Sequence, residues 1–315
     1  MTQLKSTSLT LWQQPHWPSF SWNSAEILEK LVAVRRLQGE WAALKTLLED
    51  SQKLSFIQND IQSHFRRPLT KERLCNWQTS LFQTTASDFY PPHIGDYRQL
   101  EFSRDLQLLP PPARLVTHEM NQFLSWWNES PVGLDGAIRA ALAHFWFLVI
   151  QPFEDGNLAL ASALSDLALA QDEDYGPRLY DLTNVMNLDA DPLQIALNRC
   201  YQQRGDVTIW LNWYFECLIH SMKKSRFKID RTLYQLKFWQ NKNLPPLNHR
   251  QKKLLDHLLE QDQPENIAIT NKLYVTITRS TRESAKRDLA ALARLGLIMQ
   301  SSAKGRSLHY NFIRR

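Results

Sequence analysis

The sequence predicts a mainly α-helical fold. Apolar residues recur at spacings of three and four, the period of an amphipathic helix. Seven segments show this spacing: 24–48, 113–128, 134–149, 158–171, 192–203, 207–224 and 227–240. The alternation typical of strands occurs only at a flap near 94–103 and a hairpin near 297–313. We therefore expect a helical bundle with a short β-hairpin flap, followed by a separate carboxyl-terminal module.

Length and composition restrict the class of protein. At about 150 residues per domain, the 315 residues favour two or three domains, and a hydrophobic content of 43% excludes a disordered chain. The three cysteines, Cys75, Cys200 and Cys217, are too few and too dispersed for a disulfide framework or a zinc site. Neither a secretion signal nor a long apolar run is present, so we predict a cytoplasmic protein without membrane contact.

Breaks in periodicity and in charge divide the chain into four segments. We place a shortened helical domain at 1–65, the central helical domain at 66–224, a connecting helix or linker at 225–246 and a basic domain at 247–315. The last segment carries thirteen Lys or Arg against six Asp or Glu, a net charge of +7, whereas the remainder carries −2. Positive charge is thus concentrated at the carboxyl end.

The basic domain has the element order of a winged helix. Amphipathic helices are predicted at His249–Glu260 and Thr270–Thr276, and a third begins at Ser280, where Glu283 completes a capping-box pattern. The candidate DNA contacts are Arg282, Lys286 and Arg287 on the third helix and Lys304 and Arg306 at the tip of the following hairpin. A basic helix fits the major groove of DNA. Winged helices also mediate dimerisation or protein docking, and that alternative stays open.

A second candidate site lies between Gln151 and Ser162. Gly156 permits a turn and Asn157 is a favourable N-cap, so the first amides of the following helix could face an anion such as a nucleotide phosphate. The stretch holds neither a histidine to accept a proton nor an arginine to hold a phosphate. Alone, it predicts only a weak nucleotide site at Gly156 and Asn157.

This stretch resembles the signature of the Fic (Fido) family, His-Pro-Phe-x-Asp-Gly-Asn-Gly-Arg-x-x-Arg, whose members transfer AMP from ATP to protein hydroxyls. The matching residues are Pro152, Phe153, Asp155, Gly156 and Asn157. Gln151 replaces the general base, Leu158 and Ala159 replace Gly-Arg, and Ser162 replaces the second arginine. Further similarity lies in Ala140–Phe147, Gly95–Arg98 and Pro110–Ala113, and Trp12–Phe20 is similar to the start of a small helical domain found before one group of Fic proteins.

The resemblance implies a degenerate active site. Gln151 has no titratable nitrogen, and Leu158, Ala159 and Ser162 carry no charge to stabilise a leaving diphosphate. Asp155 corresponds to the magnesium-binding residue of the family, although an acidic residue before a helix also satisfies local amides. We expect no cofactor, and ATP with magnesium only if transferase activity persists.

A similar loss affects the inhibitory helix of the family, which reads Ser/Thr-x-x-x-Glu-Gly/Asn. Its best counterpart is formed by Leu54, Gln58 and Asn59, in which Gln58 replaces the glutamate that pairs with the second signature arginine. An unpaired buried glutamate would be costly once that arginine is absent. Loss of the glutamate is therefore expected to accompany loss of the arginine.

Three functional hypotheses follow. The first is a catalytically inactive Fic fold that regulates transcription or acts as a scaffold through DNA binding. The second is a residual or altered nucleotidyltransferase that uses Asp155. The third is a protein that forms a homodimer or pairs with an active homologue and modulates it. Nucleotide titration and DNA retention distinguish them.

Overall fold

The computed structural model describes residues 10–44, 55–82, 93–103, 109–129, 133–177, 179–187, 190–201, 203, 205–241, 244–261, 263–301 and 308–313. The chain forms two compact units, one at Met1–Ser225 and one at Arg226–Arg315. Helices dominate the described residues, as the sequence predicts, and the only sheet among them has two strands. No helix within these ranges is long and apolar enough to cross a membrane.

The described residues of the first unit form eight α-helices and the start of a ninth. They are α1 (Ser24–Leu44), α2 (Phe56–His64), α3 (Lys71–Phe82), α4 (Ala113–Asn128), α5 (Gly136–Ile150), α6 (Asn157–Asp172), α7 (Leu182–Asn187), α8 (Ala190–Tyr201) and α9 (Thr208–Gln240). The strong periodicity at 113–128 correctly predicts α4. Periodicity did not predict α3 or α7, which are short and rich in polar residues.

The core of this unit is centred on α5. Nearly every residue of α5 is buried, and the helix packs lengthwise against α6. A helix that is apolar on all sides is stable only when neighbours surround it. Trp146 meets Phe123 of α4 edge-on at 5.5 Å and Phe20 of the amino-terminal segment at 5.6 Å. The end of α5 and the start of α6 therefore hold the intervening loop on a rigid support.

The predicted flap near 94–103 is not a strand within the described residues, which follow an irregular path at 93–103. The Arg98 amide donates instead to the carbonyl of Pro152 at 2.8 Å. The alternation in sequence does not correspond to burial, since Ile94, Leu100 and Phe102 are exposed while the adjacent Tyr97 and Arg98 are both buried. The prediction of separate helices at 207–224 and 227–240 is also wrong, because no glycine or proline interrupts α9.

The second unit contains the end of α9, then α10 (His249–Leu259), α11 (Asn271–Thr278), α12 (Arg282–Arg294), β1 (Ile298–Gln300) and β2 (Tyr310–Phe312). The strands pair antiparallel, with Ile298 opposite Phe312, which confirms the hairpin predicted near 297–313. Ile269 adds an antiparallel bridge to Tyr310. Sequence reasoning missed this bridge because a single paired residue leaves no alternating pattern.

Candidate functional sites in the Gln151–Asn157 loop and on α12

The loop between α5 and α6 depends on two residues with positive φ. Gln151 ends α5 at φ 47° and ψ 65°, and Gly156 precedes α6 at φ 85°. A Cβ atom at Gly156 would lie 3.2 Å from Leu81 Cδ1 and 3.3 Å from the ring of Phe82. Gly156 is thus required both by its backbone conformation and by the close approach of α3.

Asn157 closes the loop from inside. Its Oδ1 accepts the Phe153 amide at 2.9 Å, while its Nδ2 donates to the Phe153 carbonyl at 2.8 Å and to Ser103 Oγ at 2.9 Å. The sequence predicted Asn157 as an N-cap, which is wrong: Gly156 is the N-cap and Asn157 is the first helical residue. Its side chain turns back to the backbone of Phe153, whose ring is buried against Tyr97 at 5.6 Å between ring centroids.

Arg98 anchors the loop to the end of α5. The side chain is only 2% exposed and donates to the carbonyls of Gln151 at 2.7 Å, Leu100 at 2.7 Å, Pro111 at 2.5 Å and Ile150 at 3.3 Å. Burial lowers the pKa of Arg98 to about 10, and the charge of Glu101 opposes that shift. The guanidinium stays charged at neutral pH, facing the negative end of a helix dipole. Sequence comparison found this residue but not its role.

Gln151, at the position of the family's general base, is buried. Gln151 is 0% exposed, and neither atom of its amide has a hydrogen-bond partner among the described residues. His144, seven residues earlier, is also buried and stacks on Trp210 with ring centroids 5.5 Å apart. Burial lowers the pKa of His144 to about 3. It therefore stays neutral at physiological pH, packed in the core rather than held at the loop.

The predicted phosphate-binding positions carry no charge. Leu158 is half-buried and Ala159 is exposed. Ser162 is buried and its Oγ donates to the Leu158 carbonyl of its own helix at 3.1 Å. Its hydroxyl thus satisfies the backbone of α6 rather than facing a ligand.

Both acidic side chains of the loop bind backbone amides. Asp155 Oδ1 accepts the Gly156 amide at 2.8 Å, and Glu154 Oε2 accepts the His93 amide at 2.9 Å. The residues that the structure describes contain no group of three or more His, Cys, Asp or Glu able to hold a metal ion. Magnesium at Asp155 would thus draw most of its ligands from water and phosphate.

The residues that correspond to the inhibitory helix, Gln58 and Asn59, form hydrogen bonds within α2 and its N-cap. Gln58 is exposed, and its Oε1 accepts the Ser55 amide at 3.0 Å while Ser55 Oγ accepts the Gln58 amide at 3.3 Å. Asn59, also exposed, donates its amide to the Ser55 carbonyl at 2.9 Å. Leu54 lies outside the described residues. Over the described part of the chain, no bond joins Gln58 to Ser162, so the side chain acts as half of a capping box.

The second candidate site is the start of α12. The residues Arg282, Lys286 and Arg287 are all exposed and form what we call the basic face of α12. The N-cap is Thr281, whose side chain accepts the Ser284 amide, and not Ser280 with Glu283 as predicted. Ser280 Oγ is instead bonded to Thr278 Oγ1 at 2.8 Å, in the turn after α11. Lys304 and Arg306 lie outside the described residues.

A buried carboxylate on the opposite side of α12 holds the three helices together. Asp288 accepts hydrogen bonds from Asn248 at 2.9 Å, Arg250 at 2.8 Å and Tyr274 at 2.9 Å. Burial alone would raise the pKa of Asp288, but hydrogen bonds from Arg250, Tyr274 and Asn248 outweigh it and lower the pKa. Sequence reasoning missed this cluster, although an acidic residue among Ala285, Leu289 and Leu292 was an available signal.

Comparison with known proteins identifies two domains in the first unit. Residues 68–169 match the Fic/DOC family, and residues 11–63 match a domain of unknown function, DUF4172. No curated protein matches the chain. A Fic family protein from Desulfovibrio desulfuricans is 13% identical with a TM-score of 0.44, covering 92% of this chain and 87% of its own. A Fic domain containing signaling protein from Bacteroides thetaiotaomicron is 16% identical with a TM-score of 0.42. The match covers 66% of this chain and 90% of that protein.

The Fic/DOC match contains the Gln151–Asn157 loop, all of α5, most of α6 and Arg98. The amino-terminal match contains α1 and most of α2. Residues 68–169 are thus a Fic/DOC-type domain by family match, and a DUF4172-type domain precedes them at residues 11–63.

Proposed function

We propose that this protein is a catalytically inactive member of the Fic family and a DNA-binding regulator or scaffold that acts through a carboxyl-terminal winged-helix domain. The observation that supports inactivity most strongly is the enclosed, non-titratable side chain of Gln151. Transfer of AMP requires removal of a proton from the target hydroxyl, and a neutral amide cannot accept it.

The surrounding residues offer no substitute. His144 has a pKa of about 3 and is fully buried, so it is a poor base. Loss of a general base costs about 10²–10⁴ in rate, and loss of a preorganised charge stabiliser costs about 10²–10³. Because Leu158, Ala159 and Ser162 remove the second contribution as well, we expect no measurable AMP transfer.

DNA binding is supported by the placement of charge on α12. Arg282 and Lys286 lie one helical turn apart, and Arg287 adjoins them at the amino-terminal end of the helix. In helix-turn-helix proteins that end of the recognition helix contacts base edges. Asp288 engages Arg250 and Tyr274 from the other side of the helix, so the basic face is free of those contacts and the helix is firmly oriented.

The DNA test uses the full chain and fluorescence anisotropy with duplex DNA across a salt series. Each phosphate contact contributes about 0.9 to the slope of log K against log salt. Replacement of Arg282, Lys286 and Arg287 by alanine should weaken binding and reduce that slope. The matched control replaces the exposed Arg67, Arg114 and Arg199 of the first unit by alanine, which removes equal charge. Equal effects of both triple variants would contradict specific use of α12.

The catalytic proposal is tested by calorimetric titration with ATP and magnesium. We expect no binding to the wild-type chain. Micromolar binding that disappears in Asp155→Ala would contradict the proposal and favour the residual transferase.

A further inference from the structure

The outer face of α1 is apolar and uncovered. On its inner side Ile27, Val34 and Trp41 are buried in the core. On the opposite side Leu28 is 57% exposed and Val32 is 59% exposed. The exposed residues Ala25, Leu28, Val32 and Gly39 share a sector of about 60° on the helix surface at 100° per residue, and we call them the apolar stripe of α1.

Ionic contacts fix the direction in which this stripe points. Arg35 bonds to Asp135 at 2.7 Å and to Asp172 at 2.5 Å, and Lys30 bonds to Glu216 at 2.6 Å. These contacts flank the buried face and join α1 to the starts of α5 and α9 and to the end of α6. The stripe is therefore a presented surface, not one that a rotation of the helix could bury.

Packing within the monomer does not explain why position 39 is a glycine. It lies inside α1, and a Cβ atom there would meet nothing within 4 Å. Glycine in a helix interior is less stable than alanine, and no positive φ requires it here. A glycine that costs helix stability while lining an apolar stripe indicates close approach by another backbone or a large side chain.

Two opposite charges lie beside the stripe. Arg36 is 70% exposed on its side chain and reaches only a loose contact of 3.9 Å with Glu40. Glu29 is exposed and forms no hydrogen bond or ion pair with any part of the chain that the structure describes. The two residues are seven positions apart, which is about 10 Å along the helix, on the same side of the stripe.

We propose that a second copy of this chain docks on the apolar stripe, with the two α1 helices antiparallel about a two-fold axis near Val32. This axis places Glu29 of each copy opposite Arg36 of the other, because both residues keep to the same side of the stripe. It brings the two Val32 side chains together and sets Leu28 of each copy over Gly39 of the other. Antiparallel helices then approach closely where the glycine leaves room.

The self-complementary pattern is what selects a second copy over an unrelated partner. A two-fold interface uses the same patch twice, so each residue must match its own symmetry mate. Glu29 and Arg36 satisfy that condition in charge, and Leu28 and Gly39 satisfy it in size. A single helix pair is smaller than a standard stable interface, so the dimer is reversible and depends on concentration.

Sedimentation velocity of the full chain from micromolar to submillimolar concentration tests the proposal by charge reversal. Arg36→Glu alone and Glu29→Arg alone each place like charges together twice, which should weaken dimerisation about tenfold or more. The double variant should restore it. An equal mixture of the two single variants should form heterodimers, since one copy then carries two acids where the other carries two arginines.

Two further variants separate docking from folding. Val32→Glu should abolish the dimer, whereas Ile195→Glu, at an exposed apolar position on α8, should leave it unchanged. Gly39→Gln should raise the melting temperature but weaken association. A wild-type chain that stays monomeric, a dimer that survives Val32→Glu, or a double charge reversal that fails to restore association would each overturn the proposal.

Discussion

The Gln151–Asn157 loop and the basic face of α12 differ in where their polar side chains bind. Those of the loop region bond within the protein, whereas those of α12 face solvent. In the loop, Asn157, Asp155 and the neighbouring Arg98 bond to backbone groups within the protein. On α12, the side chains of Arg282, Lys286 and Arg287 are exposed and form no ion pair within the described residues. Polar groups that are satisfied internally maintain the fold, whereas accessible unpaired charges remain available to a partner.

This difference shows which residues fix the conformation of the loop. The loop conformation depends on Gly156, Asn157 and Arg98, which are all retained. The chemical positions, Gln151 and Ser162 among them, contribute no bond that shapes the loop through their side chains. The loop conformation therefore does not depend on hydrogen bonds from the side chains at these two positions.

The largest expected effect comes from Arg98→Met. It removes the hydrogen bonds of Arg98 to three buried carbonyl groups and one part-buried carbonyl group. Each hydrogen bond to a charged group contributes about 1.5–3 kcal/mol. We expect the free energy of unfolding of the first unit to fall by at least about 3 kcal/mol. Hydrogen exchange should accelerate in α5 and α6. Equal acceleration in α10–α12 would contradict a local role.

Asp288→Asn tests the corresponding anchor of the second unit. An amide nitrogen in place of one carboxylate oxygen cannot accept from Arg250 or Tyr274, so stability should fall by about 1–3 kcal/mol. The pKa of Asp288 is lowered by folding, so its contribution is present above the unfolded pKa of about 4 and is lost as pH falls below it. The variant should therefore lose less stability than the wild type on acidification below about pH 4. Parallel acid-unfolding curves would contradict this assignment.

Gln151→Met tests whether the buried side-chain amide contributes to the stability of the protein. Because neither amide atom is bonded within the described residues, replacing it by an apolar chain of similar shape should raise stability by about 1 kcal/mol. Thermal unfolding measures the change. A loss of stability would show that the amide has a polar partner, such as a bound water or ligand.

Lys286→Gln should have the smallest effect on folding. Exposed substitutions usually change the free energy of unfolding by less than about 0.5 kcal/mol. Under the proposed function, the same variant should weaken DNA binding. A clear loss of stability would place Lys286 with the internally bonded groups and remove the contrast between the two regions.

Sequence patterns were most reliable where one helix face is apolar and a clear signal marks the end. Prolines before Ala113 and a polar break after Asn128 bound α4, and the prediction at 113–128 coincides with it. Both errors of cap placement are of one residue: Thr281 rather than Ser280, and Gly156 rather than Asn157. Serine, threonine, asparagine and glycine are all favoured at N-caps, so local sequence does not choose between such neighbours.

The sequence by itself determined the helical class and the uncharged residue types at Gln151, Leu158, Ala159 and Ser162, because these depend on residue type and spacing. Only the tertiary structure decided three features. Arg98 donates to carbonyl groups at the end of α5, Asp288 accepts hydrogen bonds that join three helices, and Gln151 is buried. Those roles arise from contacts between residues distant in the chain. No local pattern records which buried donor meets which acceptor, since that choice is made when the helices pack.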